Sequence, residues 1–201
     1  MIELAASFDA QLSSLAPYLI YLIVGAIVFF ETGVLFAFFL PGDSILFSAG
    51  LVAAAHGDVN IVILVSVIFI AAFLGDQVGF VIGRLVGRPY LDKHDSPRMQ
   101  KMIARSERFY EQTGWWAVVA ARFFPWIRTF VPPIAGASKM NYYKFLSANI
   151  LGALLWGVGI TLAGYYAASL PWVKTWSYAI AAFFITASLV SALVNYLRHR
   201  R

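Results

Sequence analysis

Cysteine is absent from the chain, so disulfides, thiol chemistry and cysteine metal sites are excluded together. Charge is scarce: Asp, Glu, Lys and Arg make up 12% of the residues, about half the share usual in a soluble domain. Lysine and arginine are missing altogether from residues 1–83, and Glu3 and Asp9 stand where a secretory signal would begin with basic residues, so no cleaved signal is expected. Histidine is rare: His56, His94 and His199 share no zinc-ligand spacing, and neither a metal, a cofactor nor an enzymatic activity is expected.

What is present is apolar. Of 201 residues 61% are hydrophobic, which together with a mean hydropathy of +0.75 marks an integral membrane protein with one membrane domain over 1–201. The formal net charge is +5, but the basic residues lie between and beyond apolar runs, a pattern set by membrane topology and not by nucleic acid.

Residues 1–16 carry Leu4, Phe8, Leu12 and Leu15 at helical spacing and read as a helix lying in the interface. An apolar run from Pro17 to Leu40 is interrupted by Glu31 and ends at Pro41-Gly42-Asp43. The next run, to His56, gives about 20 Å of helix, short of the roughly 30 Å hydrocarbon core. Residues 61–84 are long enough to cross, and Gly75, Gly79, Gly83 and Gly87 give them a smooth packing stripe with Asp76 beside it. Arg84 to Arg108 holds seven of the 15 Lys and Arg residues, which places it on the cytoplasmic side, with an amphipathic helix over 97–113. Residues 145–168 and 176–197 read as further spans. The basic residues Arg198 to Arg201 then make the C-terminus cytoplasmic, and Trp115, Trp116, Trp172 and Trp176 are expected at the interfaces.

Both ends of 115–138 carry cytoplasmic-type charge, so the chain crosses an even number of times between them, and so short a segment cannot cross twice. A re-entrant hairpin turning near Pro125, Pro132 and Pro133 resolves this. By the same reasoning 17–56 is a hairpin from the outer side, turning at Pro41-Gly42. The expected fold is an all-α polytopic membrane protein with inverted repeats: two opposed re-entrant helical hairpins plus about three full transmembrane helices. A topology with the N-terminus inside and 17–40 crossing alone ranks second, because no basic residue supports it. Glu31 lies ten residues before Pro41 and Arg122 ten before Pro132, a local echo of the repeat.

Arg122 and Arg128 would each cost about 2.5–3.5 kcal/mol in lipid, and the prolines remove backbone donors that lipid cannot replace. Glu31 and Asp43, brought to the midplane by the opposed hairpin, are the expected partners. A pure salt-bridge lock is one reading. The other is a site in which two arginines hold a doubly charged oxyanion, helped by backbone donors freed at the proline breaks, while Glu31 and Asp43 exchange protons. An intramembrane lipid phosphatase would need a nucleophilic histidine near the arginines, and a small-ion or drug transporter a run of polar pore-lining residues. The sequence has neither.

Glu31 with Pro41-Gly42-Asp43 and Gly50, then GDQVGFVIGRLVG over 75–87, then ARFFPWIRTFVPPIAGASKM over 121–140, together resemble the DedA family, also described by its SNARE-associated or VTT domain. The resemblance covers roughly residues 17–168. It implies a bacterial cytoplasmic-membrane protein that returns undecaprenyl phosphate across the bilayer, or in some members moves phosphatidylethanolamine. It also implies function at an acidic pair and an arginine pair, here Glu31, Asp43, Arg122 and Arg128, and from their own positions Asp76, Pro41, Gly42, Pro125 and Pro132 are expected to support them. The expected partners are an anionic phospholipid or polyprenyl phosphate, protons and membrane lipids, with a homodimer allowed and nucleic acid excluded.

Overall fold

The computed structural model describes residues 2–33, 42–55, 57–93 and 97–170. Among them every regular element is a helix: α1 (Ile2–Gly33), α2 (Gly42–Ala55), α3 (Ile61–Ile82), a π turn (Gly83–Gly87), α4 (Arg88–Lys93), α5 (Pro97–Gln112), α6 (Gly114–Ala121), α7 (Pro125–Arg128), α8 (Val131–Ala137), α9 (Tyr142–Ala153), a second π turn (Leu154–Val158) and α10 (Gly159–Ala167). Pro41, the 176–197 span, Trp172, Trp176, the basic tail, His56, His94 and His199 lie outside the described residues.

Two continuous rods, Ile61–Lys93 and Tyr142–Ala167, are long and apolar enough to cross a bilayer. The apolar helices Pro17–Gly33 and Gly42–Ala55 are shorter, about 25 and 21 Å. Each rod starts on an asparagine cap. The Asn60 carboxamide accepts from the Val62 and Ile63 N–H groups, and that of Asn141 from Tyr143 and Lys144. The Asn60 N–H in turn donates to the Tyr21 hydroxyl at 2.7 Å, tying the start of α3 to α1.

Two sequence expectations change. α1 runs unbroken through Pro17, so the separate helix expected to end at residue 16 and the apolar run expected to begin at Pro17 form one helix. Pro17 removes a backbone donor within the helix, ordinarily a cost of about 3 kcal/mol, and the helix nonetheless continues past it. The helix begun at Ile61 does not stop at Arg84. It widens into the first π turn and continues to Lys93, the wider turn falling where a regular helix would press the Pro89 ring against the Leu85 carbonyl.

α1 packs along α3, α2 along α10, α8 along the far half of α3, and α6 along α9. The glycine stripe is the seam. A β-carbon on Gly75 would strike Thr32 of α1, and one on Gly83 would strike the Pro133 backbone of α8. Gly79 lies against Pro132 and Pro133, while Gly136 returns the contact against the Phe80 carbonyl.

The core divides into two apolar clusters. Val28, Leu46, Leu64, Ile68 and Trp156 belong to the first, and Phe80, Val118, Val131, Phe145 and Ala148 to the second. Along α3 the switch between clusters falls around Asp76, and along α9 between Leu151 and Ala153. Large apolar side chains such as Leu22, Ile63, Leu85 and Phe124 face outward, as lipid-facing residues do.

The seam predicts a contrast. Gly136→Leu is expected to cost about 1–3 kcal/mol or more and to lower the unfolding midpoint in detergent. Gly57→Ala, in a turn where an added β-carbon meets nothing within 4 Å, should leave the midpoint within the equivalent of about 0.5 kcal/mol.

Candidate functional site

The segment Arg122–Phe124 separates α6 from α7, and Thr129–Phe130 separates α7 from α8. Pro125 sits at the start of α7 and Pro132 in the first turn of α8, positions where a missing N–H costs least. The N–H groups of Phe123, Phe124, Ile127, Arg128 and Phe130 all bond within these turns. The breaks therefore do not release these backbone donors to the site. What they do is aim two arginines into the interior.

Arg128 is buried. Its Nη2 donates to Glu31 Oε1, near the end of α1, and its Nη1 donates to Asp43 Oδ1 at 2.8 Å, in the first turn of α2. Glu31 is fully buried, whereas the Asp43 side chain is 42% exposed, so Asp43 is the most exposed member of this triad. Gly42 lies so close to the Glu31 carboxylate that it has no room for a β-carbon.

Arg122 makes a separate set of contacts. Its Nη2 donates to Asp76 Oδ2 at 2.5 Å, to Asn149 Oδ1 at 2.5 Å and to the Ala72 carbonyl at 3.2 Å. Asn149 is held in turn by its Nδ2, which donates to the Phe73 carbonyl at 3.1 Å. Gly152 makes room for the arginine, since a β-carbon there would come within 2.7 Å of Arg122 Cδ. The expectation that both arginines meet Glu31 and Asp43 is therefore corrected: Arg128 meets both, and Arg122 meets Asp76. The reason is the glycine stripe, which draws α8 against α3 and so sets Asp76 beside Arg122.

Trp156 joins the halves. Its Nε1 donates to Asp43 Oδ1 at 2.6 Å, and its ring lies 4.6 Å from Arg128 Cζ and 5.9 Å from Arg122 Cζ. A desolvated cation over an indole face gains about 2 kcal/mol. The π turn Leu154–Val158 carries this tryptophan, and such turns concentrate at functional sites. Sequence reasoning missed Asn149 and Trp156. The available signals were a lone carboxamide within an apolar span and a tryptophan at its middle instead of its end.

The site holds three carboxylates, Glu31, Asp43 and Asp76, against two guanidiniums. Its hydrogen bonding is incomplete. Arg122 Nε and Nη1, Arg128 Nε, Thr129 Oγ1 and Glu31 Oε2 are buried with no hydrogen-bond partner among the described residues. Three buried guanidinium nitrogens thus lack a partner among the described residues, and an unmatched buried donor is costly.

Residues 40–166 match the family described as the VTT domain. Protein DedA of Escherichia coli (strain K12) is 35% identical over 206 residues, covering all of this chain and 94% of that protein. An uncharacterized membrane protein of Mycobacterium tuberculosis (strain H37Rv) is 43% identical over 174 residues, 86% of this chain and 76% of its own length. A similarly described protein of Mycobacterium leprae is 42% identical over 170 residues, 84% and 75% respectively. No solved structure matches significantly.

The Arg122–Asp76 pair yields a thermodynamic prediction. Asp76→Leu strands a buried guanidinium and is expected to cost about 3–5 kcal/mol, whereas the double variant Asp76→Leu/Arg122→Met should recover most of the loss. Denaturant unfolding of the single and double variants in micelles measures both values.

Proposed function

Because the chain belongs to the DedA family of VTT-domain membrane proteins, we propose that it carries the head group of a phosphate-bearing lipid across the bacterial cytoplasmic membrane, with Arg122 and Arg128 as the phosphate ligands. One observation carries the reading: two buried guanidiniums lie 4.6 and 5.9 Å from a single tryptophan ring and keep three nitrogens unpartnered among the described residues. A salt-bridge lock has no use for spare donors, while a phosphate with its several acceptor oxygens does. The proposed substrate is undecaprenyl phosphate, whose long chain stays in the bilayer so that only the head group needs a polar cavity. Phosphatidylethanolamine or another phospholipid is the alternative.

Charge balance supports proton coupling. Three ionised carboxylates already exceed two guanidiniums, and a phosphate adds further negative charge. The anion is accommodated when Glu31 and Asp43 release Arg128 and take up protons, and it leaves when they give the protons back. Asp43, the exposed member, is the side chain through which protons exchange with water. In this reading 17–56 and 115–138 are opposed re-entrant hairpins of an inverted repeat, Asp76 holds Arg122 ready, and the C-terminus is cytoplasmic.

The test is translocation of labelled undecaprenyl phosphate and, separately, phosphatidylethanolamine in proteoliposomes, with and without a pH gradient. The expected result is gradient-dependent movement of undecaprenyl phosphate that falls about tenfold or more in Arg122→Ala and Arg128→Ala. Glu31→Gln should lose the gradient dependence. Absence of transport by the wild type, or full transport by correctly folded arginine variants, would refute the proposal.

A further inference from the structure

At the opposite end of α8 from Arg128 lies a cleft of about 580 Å³ whose lining includes Arg84, Arg88, Glu107, Tyr110, Lys139 and Lys144. On the sequence-based topology it faces the cytoplasm. Arg88 is committed: it donates to Glu107, to Asp92 at 2.9 Å and to the Ala137 carbonyl at 3.4 Å. Arg84 uses Nη1 on the Met140 carbonyl at 3.1 Å, and Lys144 Nζ reaches only the Glu111 carbonyl, at 3.5 Å. Among the described residues neither these two nor Lys139 has a carboxylate within ion-pairing distance. With Arg88 and Glu107 cancelling, three cations face one remaining carboxylate of the lining, Glu111. Burial pushes the Tyr110 hydroxyl up to about 12, so it stays protonated and adds no negative charge.

Lys139 is unusual in a second way. Its φ is 54°, the left-handed conformation that closes α8, with the Lys139 N–H on the Gly136 carbonyl and the Met140 N–H on that of Ala135. Glycine usually takes this place because a β-carbon is strained there. A lysine held in strain at the mouth of a positively charged cleft calls for a use of its ammonium group.

We propose that this cleft is an anion site that receives a phosphate group at the cytoplasmic surface, either a lipid head group or free phosphate, with Arg84, Lys139 and Lys144 as its ligands. The site is distinct from the buried arginines and stands whether or not they carry a lipid.

The experiment uses the full chain. Inorganic phosphate is titrated into protein in a neutral detergent, and retention of phosphatidic acid against phosphatidylcholine is measured in nanodiscs, for the wild type, Lys139→Gly and Lys144→Gln. Saturable binding of inorganic phosphate identifies free phosphate as a ligand, and retention of phosphatidic acid alone identifies a head group. In either case both variants should weaken binding about tenfold. Lys139→Gly should at the same time raise the thermal midpoint, which separates lost binding from lost folding. No binding in either arm, or binding by both variants equal to that of the wild type, overturns the proposal.

Discussion

Five charged side chains in the interior of an apolar helical protein are the constraint on which the rest of the structure depends. Glu31, Asp76, Arg122 and Arg128 are almost wholly buried, and Asp43 reaches them from a half-exposed position. Pairing is close to obligatory, since one such charge left alone in lipid costs several kcal/mol. The partners come from four separate helical regions: the end of α1, the start of α2, the middle of α3 and the broken α6–α8 segment. Each ion pair therefore fixes one element against another.

Close approach makes the pairing geometrically feasible. Thr32 and Gly33 meet Gly75, and Pro132 and Pro133 meet Gly79 and Gly83. With larger residues along α3, the α6–α8 segment that carries the arginines would stand off from Asp76 and the polar layer would open. Trp156 then packs its ring near both guanidiniums while its N–H holds Asp43. The result is a polar layer at the junction of two apolar clusters, with spare guanidinium donors inside it.

Part of this layer is legible in the sequence, because isolated charges in apolar runs announce that they need partners. On that ground Glu31 and Asp43 are expected against both arginines, and the structure sets Arg128 alone against them. The Arg122–Asp76 pair could not be assigned, since it depends on which face of α3 the α6–α8 segment covers, a matter of crossing geometry that hydropathy does not encode. Asn149 and Trp156 were hidden for another reason: amide and indole groups are common enough in membrane helices to pass as packing or interface residues. Lys139 is the hardest to foresee, because nothing in a lysine's side chain signals a left-handed backbone. Of the fold, the helices, the breaks at the prolines and the glycine seam follow from residue type. The unbroken passage through Pro17 and the π turns ahead of Pro89 and around Trp156 are set by local compensation that a count of helix formers does not resolve.

The central claim is that an arriving phosphate takes over Arg128 from Glu31 and Asp43, which then accept protons. Calorimetric titration of the detergent-solubilised protein with undecaprenyl phosphate, at one pH in two buffers of different ionisation enthalpy, measures that exchange directly. The account predicts net proton uptake on binding by the wild type and reduced uptake by Glu31→Gln. Binding without proton exchange by the wild type, or equal exchange in both proteins, would contradict it.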